Sequence, residues 1–180
     1  MPEENLTQLV QLKTKRNYTV AINPEIVAGD GVVQIQLKFE DLQNLNRGFR
    51  QVGIVDSNFD FSDQYLPGQD EFSVGYCGSD GNISHLTEES VDQFITGNDK
   101  YENGDLVTLE VNMHEDKEKR TLHFFLKEKQ QPISFIGLPD CIKFIVQRQH
   151  QGTAVTIISM QTLLQPTIVD NIPKAQIIDW

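Results

Sequence analysis

Cysteine is scarce in this sequence: among 180 residues only Cys77 and Cys141 occur. Two thiols are too few for a disulfide framework or a zinc site built from thiolates, so we expect both to be reduced and buried as small hydrophobic side chains. HExxH, paired CxxC, GxxxxGKS/T and GxGxxG motifs are also absent, which excludes metal and nucleotide binding by those routes. We therefore expect no cofactor.

Long apolar runs are missing as well. No segment approaches the roughly 18 consecutive apolar residues that span a bilayer. The first five residues, MPEEN, lack the basic-then-apolar layout of a signal peptide. The sequence therefore predicts a cytoplasmic protein that does not insert into membranes.

Positive charge is in short supply. Fifteen Lys and Arg residues against 26 Asp and Glu residues give a formal net charge of −11. At this charge, phosphate backbones are repelled at long range, so we expect no nucleic-acid partner.

No hydrolytic triad can be traced. Four histidines, His85, His114, His123 and His150, lie at unrelated positions, and no GxSxG motif surrounds a serine. Cys77 precedes His85 in the chain, but its place at the end of an alternating segment indicates a structural thiol. We expect no catalytic activity.

Strict alternation of apolar and polar residues is the clearest pattern that is present. It runs through residues 33–40, 107–113 and 121–127, and it is typical of strands with one buried face. The polar stretch 114–119 makes the last two strands a hairpin. Further strands are predicted at residues 18–22, 51–55, 72–76, 142–147 and 154–158.

Helical signals are few. One helix is predicted to begin at Thr87, to continue through Val91, Phe94 and Ile95, and to end at Gly97. Residues 6–12 fit either a short turn or a first strand. About eight closely spaced strands in a chain of this length predict one β-sandwich or barrel domain.

Several motifs, in order, resemble the SPRY family of β-sandwich interaction domains. They are Val52-Gly53, Val74-Gly75-Tyr76 followed by Asp80-Gly81, Gly104-Asp105, Leu122-His123-Phe124-Phe125, and Phe135-Ile136-Gly137-Leu138-Pro139. The similarity covers roughly residues 18–159. It departs from the family where an Asn-Gly turn usually follows the aromatic strand, because this chain has residues 127–132, KEKQQP, for which we predict a longer turn.

The resemblance implies an all-β antiparallel sandwich of the SPRY-like, concanavalin A-like jelly-roll type, with one or two short helices. We assign residues 1–16 to an N-terminal extension, 17–160 to the sandwich, and 161–180 to a C-terminal tail packed on the domain or on a partner. Ile177, Ile178 and Trp180 in this tail need cover, so the oligomeric state stays open.

The resemblance also implies a function, since SPRY domains hold a partner peptide with loops at one end of the sandwich. Two loops are candidates for binding a protein or peptide partner. The first carries Asn58, Phe59, Phe61 and Tyr65, an aromatic-in-polar pattern suited to a binding hot spot, although these rings can also fold back onto the core. The second carries Arg148, Gln149 and His150.

Two other functions remain open. A lectin-like sandwich would bind carbohydrate with aromatic and polar side chains, and the single Trp180 in the tail weakens that reading. A calcium-dependent membrane-binding sandwich would use the Asp-rich segment 56–63, which lacks the sixth-position Gly and twelfth-position Glu of an EF-hand loop.

Overall fold

The computed structural model describes residues 8–11, 18–41, 49–89, 94–149 and 152–180. Within these ranges the chain forms twelve strands. They are β1 (Gln8–Gln11), β2 (Tyr18–Val27), β3 (Gly31–Asp41), β4 (Arg50–Asp56), β5 (Ser73–Cys77), β6 (Ile83–Ser84), β7 (Leu106–Met113), β8 (Thr121–Leu126), β9 (Lys129–Ile136), β10 (Cys141–Arg148), β11 (Thr153–Leu163) and β12 (Gln176–Asp179).

The strands build two sheets. A seven-stranded sheet has the order β1-β11-β3-β7-β8-β9-β12, and a five-stranded sheet has the order β2-β10-β4-β5-β6. All pairs are antiparallel except β12 with β9, which is parallel. The expected all-β sandwich is confirmed, and each of the eight predicted strands overlaps an observed one.

The core lies between the two sheets and is built by the alternating residues. On β3 the side chains of Ile35, Leu37 and Phe39 are fully buried, and on β10 those of Ile142 and Phe144 are too. Each such side chain contributes about 1.5–3 kcal/mol when it leaves water. Alternation thus decides which face of each strand points inward.

The turn between β8 and β9 is shorter than predicted. Only Lys127 and Glu128 connect the two strands, with φ values of 51° and 68°. Two residues at positive φ form the mirror-image turn whose twist matches a hairpin, and here they are not the usual Asn and Gly. The prediction of a longer turn was therefore wrong, and β9 was missed. Pro132, which lacks a backbone N–H, lies in β9 beside a break in the register with β8.

The predicted helix from Thr87 to Ile95 is also wrong in its described part. Residues 90–93 lie outside the described residues, while Ile95 forms an antiparallel bridge with Ile83. The backbone N–H and C=O of Ile95 therefore bond to Ile83 instead of to residues of the same helix. The described ranges contain a single 3-10 turn, Lys117–Lys119, whose first turn is capped by the Asp116 carboxylate accepting from the Glu118 N–H at 3.2 Å.

The terminal segments complete the seven-stranded sheet. Strand β1 pairs with β11 inside the segment assigned as an N-terminal extension, and β11 runs to Leu163, past the assigned end of the sandwich. Residues 164–175, which we call the C-terminal strap, lead from β11 to β12 at the opposite side of the sheet. Ile178 and Trp180 then pack against the core, whereas Ile177 is 70% exposed.

Both cysteines are free, Cys77 buried and Cys141 half-buried. Within the described ranges, no helix has the length and apolar character needed to cross a membrane.

Candidate interaction site

One end of the sandwich is closed by charged rather than apolar side chains. Alternate residues of each strand face the interior of the sandwich. At this end the last inward-facing residues are Asp41 on β3, which follows Phe39, Arg50 on β4 and Arg148 on β10. Arg50 and Arg148 are directly paired across β4 and β10. We call the space bounded by Asp41, Arg50, Tyr101 and Arg148 the mouth.

Tyr101 forms the floor of the mouth. Its side chain is fully buried, and its ring lies 5.6 Å from that of Phe39 and 5.0 Å from that of Tyr76. The Tyr101 hydroxyl donates to the Tyr76 carbonyl at 2.9 Å. Burial raises the pKa of the Tyr101 phenol well above its ordinary value, so the floor is uncharged.

Arg50 is held firmly by residues before β7. Its Nε donates to the Tyr101 carbonyl at 3.1 Å and its Nη1 to Oδ1 of Asn103 at 3.3 Å. The guanidinium also lies over the Tyr101 ring, 5.9 Å from the ring centre. Arg50 is therefore fixed by neutral groups, and its positive charge is not cancelled by these contacts.

Arg148 is the more deeply buried of the two, with 3% of its surface exposed. Its Nη2 donates to the Glu40 carbonyl at 3.0 Å, and its guanidinium lies 5.3 Å from the centre of the Phe39 ring. Neither Nε nor Nη1 has a hydrogen-bond partner among the residues that the structure describes. A buried guanidinium with unmet N–H groups is uncommon, because buried charges are normally paired and hydrogen-bonded.

The electrostatics of Arg148 reflect this position. Burial and then the neighbouring Arg50 lower the pKa of Arg148 to about 10, while Asp41 attracts its charge and opposes that shift. Arg148 is therefore still cationic at neutral pH.

Two other carboxylates at this end already contact lysines. Asp105 lies 2.9 Å from Nζ of Lys127, and Asp99 lies 3.1 Å from Nζ of Lys129. These two acids are engaged by lysines, and the carboxylates that attract the positive charge of Arg148 are those of Asp41 and, to a lesser degree, Glu40.

The aromatic residues of the first predicted loop pack on one another over the outer face of the five-stranded sheet. Phe59 stacks on Phe72 with ring centres 4.6 Å apart, and Phe61 lies 5.0 Å from Tyr65. The Tyr65 hydroxyl contacts Asp70 and Ser73, each at 2.6 Å. Burial raises the pKa of Tyr65. These rings fold back in part, as the sequence had left open.

Gly75 explains how the same loop lies so close to the sheet. A Cβ atom at Gly75 would stand 2.8 Å from the Pro67 carbonyl oxygen and from Oε1 of Gln51. A side chain there would push the loop away, so the glycine is required by close packing.

The structure does not bring the two predicted loops together. Asn58 is exposed and bonded to Asp56, next to the beginning of β10, where Ser57 donates to the Cys141 carbonyl at 3.0 Å. Arg148 ends the same strand, about 24 Å away at roughly 3.4 Å per residue. Gln149 is half-buried beside Arg148, and His150 lies outside the described residues.

A groove of about 700 Å³ lies at the Asn58 end of the sandwich. Trp180, Phe72 and Asn58 line it together with the carboxylates of Asp56, Glu71, Glu88, Glu89, Asp140 and Asp179. This end is thus acidic, whereas the mouth carries more positive than negative charge.

Neither catalytic nor metal-binding geometry is assembled around Cys77. Its thiol contacts the Ser79 hydroxyl at 3.1 Å, and burial raises the pKa of the thiol, which disfavours the nucleophilic thiolate. His85 is engaged with the Ser73 carbonyl at 2.9 Å. In the described part of the chain, no group of three or more His, Cys, Asp or Glu residues is arranged to hold a metal ion.

Two solved SPRY domains have folds similar to that of this chain. A human SPRY domain matches over 88% of this chain and 93% of its own, with 14% identity and a TM-score of 0.62. The SPRY domain of human HERC1 matches over 87% and 91%, with 16% identity and a TM-score of 0.63. The chain therefore has a SPRY-like fold, as the motifs predicted.

A carbohydrate recognition domain, that of Emp46p in its metal-free form, is also similar. It matches over 88% of this chain and 82% of its own, with 9% identity and a TM-score of 0.56. No family model and no curated protein sequence matches the chain. At these identities, the likeness defines the fold alone.

Sequence reasoning found Arg148 but missed the three other residues of the mouth. The signal for two of them was present: Asp41 and Arg50 each occupy the next inward position of an apolar alternating series. A charge at such a position must be buried or must close the end of a sandwich. Tyr101 gave no such signal, because it lies in irregular chain before β7.

Proposed function

We propose that this chain is a non-enzymatic protein-interaction module that binds a peptide or loop of a partner protein at the mouth of its sandwich. The observation that carries the proposal is the pair of buried arginines at the mouth, one of which retains unmet N–H donors. Such donors are stabilised when a binding segment supplies acceptors.

The topology supports this location. The connections from β3 to β4 and from β10 to β11 both leave the sandwich at the mouth, directly after Asp41 and Arg148. Loops positioned by a rigid sandwich are the usual site of recognition. Gln149 and His150 belong to one of these connections, and we propose that they contribute contacts to the bound segment.

The aromatic group Phe59, Phe61 and Tyr65, with Asn58 nearby, forms a separate surface. Because it is distant from the mouth, we propose it as a second contact area for a partner large enough to reach along the five-stranded sheet. Phe59 and Phe61 are each half-exposed and can add apolar area to such a contact.

The test is a comparison of partner binding by variants at the two ends of the sandwich. Proteins that co-purify with the tagged chain from its source cell would be identified by mass spectrometry, and the strongest binder would be purified. Its dissociation constant should rise at least about tenfold for Gln149→Ala combined with Arg50→Lys, because polar contacts at the mouth are lost. Lys117→Ala, at the opposite end, is the matched control and should bind like the unaltered chain.

Two results would contradict the proposal. One is that no protein is retained by the tagged chain, and the other is that the retained protein binds the mouth variants and the unaltered chain equally well. The melting temperature of each variant, measured in parallel, distinguishes loss of contact from loss of folding.

Carbohydrate binding is a second candidate, favoured by the groove at the Asn58 end. Trp180 lies there beside Asn58 and several carboxylates, a combination of an aromatic face and polar groups that suits a sugar ring. The similarity of the fold to the Emp46p carbohydrate recognition domain supports the same reading. A glycan array would decide: retention of a defined glycan that is lost in Asn58→Ala favours this candidate, and an empty array excludes it.

A further inference from the structure

We infer that the mouth recognises a carboxylate, the side chain of an Asp or Glu residue within the bound segment of the partner. This inference rests on the proposed function and names the chemistry of its partner. It is carried by the geometry of Arg148 and by the balance of charge around it.

The unmet donors of Arg148 have the arrangement that a carboxylate fits. A guanidinium offers two forks, one joining Nε to Nη2 and the other joining Nη1 to Nη2, and each can bind both oxygens of a carboxylate. The Glu40 carbonyl takes one N–H of Nη2, while Nε and Nη1 have no partner in the described residues. One complete fork of Arg148 therefore has no acceptor among the described residues, and its donors are buried.

The rest of the Arg148 side chain is already enclosed. Phe39 covers one face of its guanidinium, and β4 lies alongside β10 at this position through the pairing with Arg50. Both unmet donors are themselves buried in the unbound chain, so we expect a binding segment to reach them from the end of the sandwich with a shift of the Arg148 side chain. An extended segment lying across that end would bring a side chain to it.

The charge balance favours an anion over a neutral acceptor. Among the described residues, Arg50 and Arg148 bring two positive charges to the inward faces at the mouth and Asp41 brings one negative charge. Glu40, which lies on the outer face of β3, attracts Arg148 less than Asp41 does. One added carboxylate makes the set neutral, whereas a phosphate dianion would leave it negative in a chain whose net charge is already −11. An amide or hydroxyl would leave the positive surplus buried.

The groups around the unpaired fork strengthen such a pair. The mouth lies on Phe39, Tyr76 and Tyr101, so the local dielectric is low and a charge-assisted hydrogen bond is stronger than in water. Arg50 is fixed by Tyr101 and Asn103, so it adds attraction without moving. The same surroundings make recognition specific, because an uncharged residue leaves the buried charge of Arg148 unpaired.

The experiment is a selection from random twelve-residue peptides displayed on phage, with the unaltered chain as bait. The expected result is a set of peptides that share one Asp or Glu at a fixed position. Enriched peptides without a shared acidic residue would overturn this inference and leave the proposed function standing. If no peptide were enriched, both would fail.

Synthetic peptides then identify the carboxylate. Replacing the shared Asp by Asn, or Glu by Gln, should weaken binding about 30-fold or more, because the change leaves a buried charge unpaired. Each peptide is made with a free and with an amidated C-terminus: equal affinity supports a side-chain carboxylate, and dependence on the free terminus overturns it. Phosphoserine at the same position should bind more weakly than Asp or Glu, and tighter binding would contradict the charge argument.

Two variants of the chain complete the test. Arg148→Lys keeps the charge but loses the fork, and it should reduce the Asp-over-Asn preference at least about tenfold. Lys117→Ala should keep the full preference. The Asp and Asn peptides are compared on the unaltered chain first, so the inference stays testable even if Arg148→Lys does not fold.

Discussion

Thr167 fastens the C-terminal strap to the seven-stranded sheet by donating two hydrogen bonds to Glu110. The backbone N–H of Thr167 lies 2.9 Å from Oε1 of Glu110, and its hydroxyl lies 2.5 Å from Oε2. Glu110 is 2% exposed and also accepts from Nε2 of Gln34 at 3.1 Å. A buried carboxylate on the outer face of β7 thus depends on the strap for two of these three hydrogen bonds.

Replacing Thr167 with Val should lower the free energy of unfolding by about 1–2 kcal/mol, because the carboxylate of Glu110 loses a donor while it is buried. Denaturation in urea would measure the change. Thr162→Val, an exposed position on β11, is the control and should stay within about 0.5 kcal/mol of the unaltered chain. Equal losses for the two variants would contradict the dependence of Glu110 on the strap.

Glu128→Gly should stabilise the chain by about 0.5–1 kcal/mol, since Glu128 has a φ of 68° and a side chain with Cβ is strained in that region. The reverse change at a comparable position is Gly137→Ala, where φ is 80° and a Cβ meets no atom within 4 Å. This variant should lose about 1 kcal/mol for conformational reasons alone. Thermal unfolding of both proteins would measure the difference, and a destabilised Glu128→Gly variant would contradict the assigned turn.

Stability should fall as the pH drops below about 6.5, in part because of His123. Burial lowers the pKa of His123, and the nearby Glu110 opposes that shift. A folded-state pKa below the unfolded value means that the unfolded chain binds the proton more readily, so the stability is present above the unfolded pKa and is lost as pH falls. Both ring nitrogens of His123 are buried and have no partner in the described residues.

His123→Leu should therefore narrow the difference in unfolding free energy between pH 7 and pH 5. Some difference should persist, because burial also lowers the pKa of His85, with the same sign. Urea denaturation at the two pH values would measure it. An unchanged difference in the variant would show that His123 does not contribute.

Trp180→Ala should lower the free energy of unfolding by about 2 kcal/mol, because a large half-buried ring leaves the core. The Trp180 ring lies 5.0 Å from His85, and its backbone N–H donates to the Ile136 carbonyl at 2.9 Å. Ile177→Ala, which changes a side chain that is 70% exposed, should alter stability by less than about 0.5 kcal/mol. Light scattering of both variants would also test whether Ile177 mediates self-association.

The strands were predictable wherever one face of a strand is apolar and the other polar. Residues 33–40 and 107–113 have this pattern, and they became β3 and β7 with the expected faces inward. Strand β9 was missed because Lys129, Gln130, Gln131 and Pro132 carry no alternation, and its pairing is fixed by β8 rather than by its own composition. The segment around Ile95 failed for the same reason, since a bridge to Ile83 outweighed a local helical pattern.

The candidate site was predictable only in part. Arg148 was found from its loop, but its burial and its pairing with Arg50 depend on strands nearly 100 residues apart in sequence. Proximity of that kind is set by sheet order, which no single segment encodes. Because the sheet order could not be read from the sequence, the loops of Asn58 and Arg148 were assigned to the same end of the sandwich. In the structure the length of β10 separates these two residues.

The order of the seven-stranded sheet also has a consequence for how the chain is made. Strand β3 is paired on one side by β11, whose residues Thr153–Leu163 are synthesised more than a hundred residues later. Until those residues leave the ribosome, one edge of an apolar strand carries unpaired backbone groups and is open to association with other chains. A chaperone that protects emerging chains should therefore raise the yield of this protein more than that of a sandwich whose neighbouring strands are consecutive.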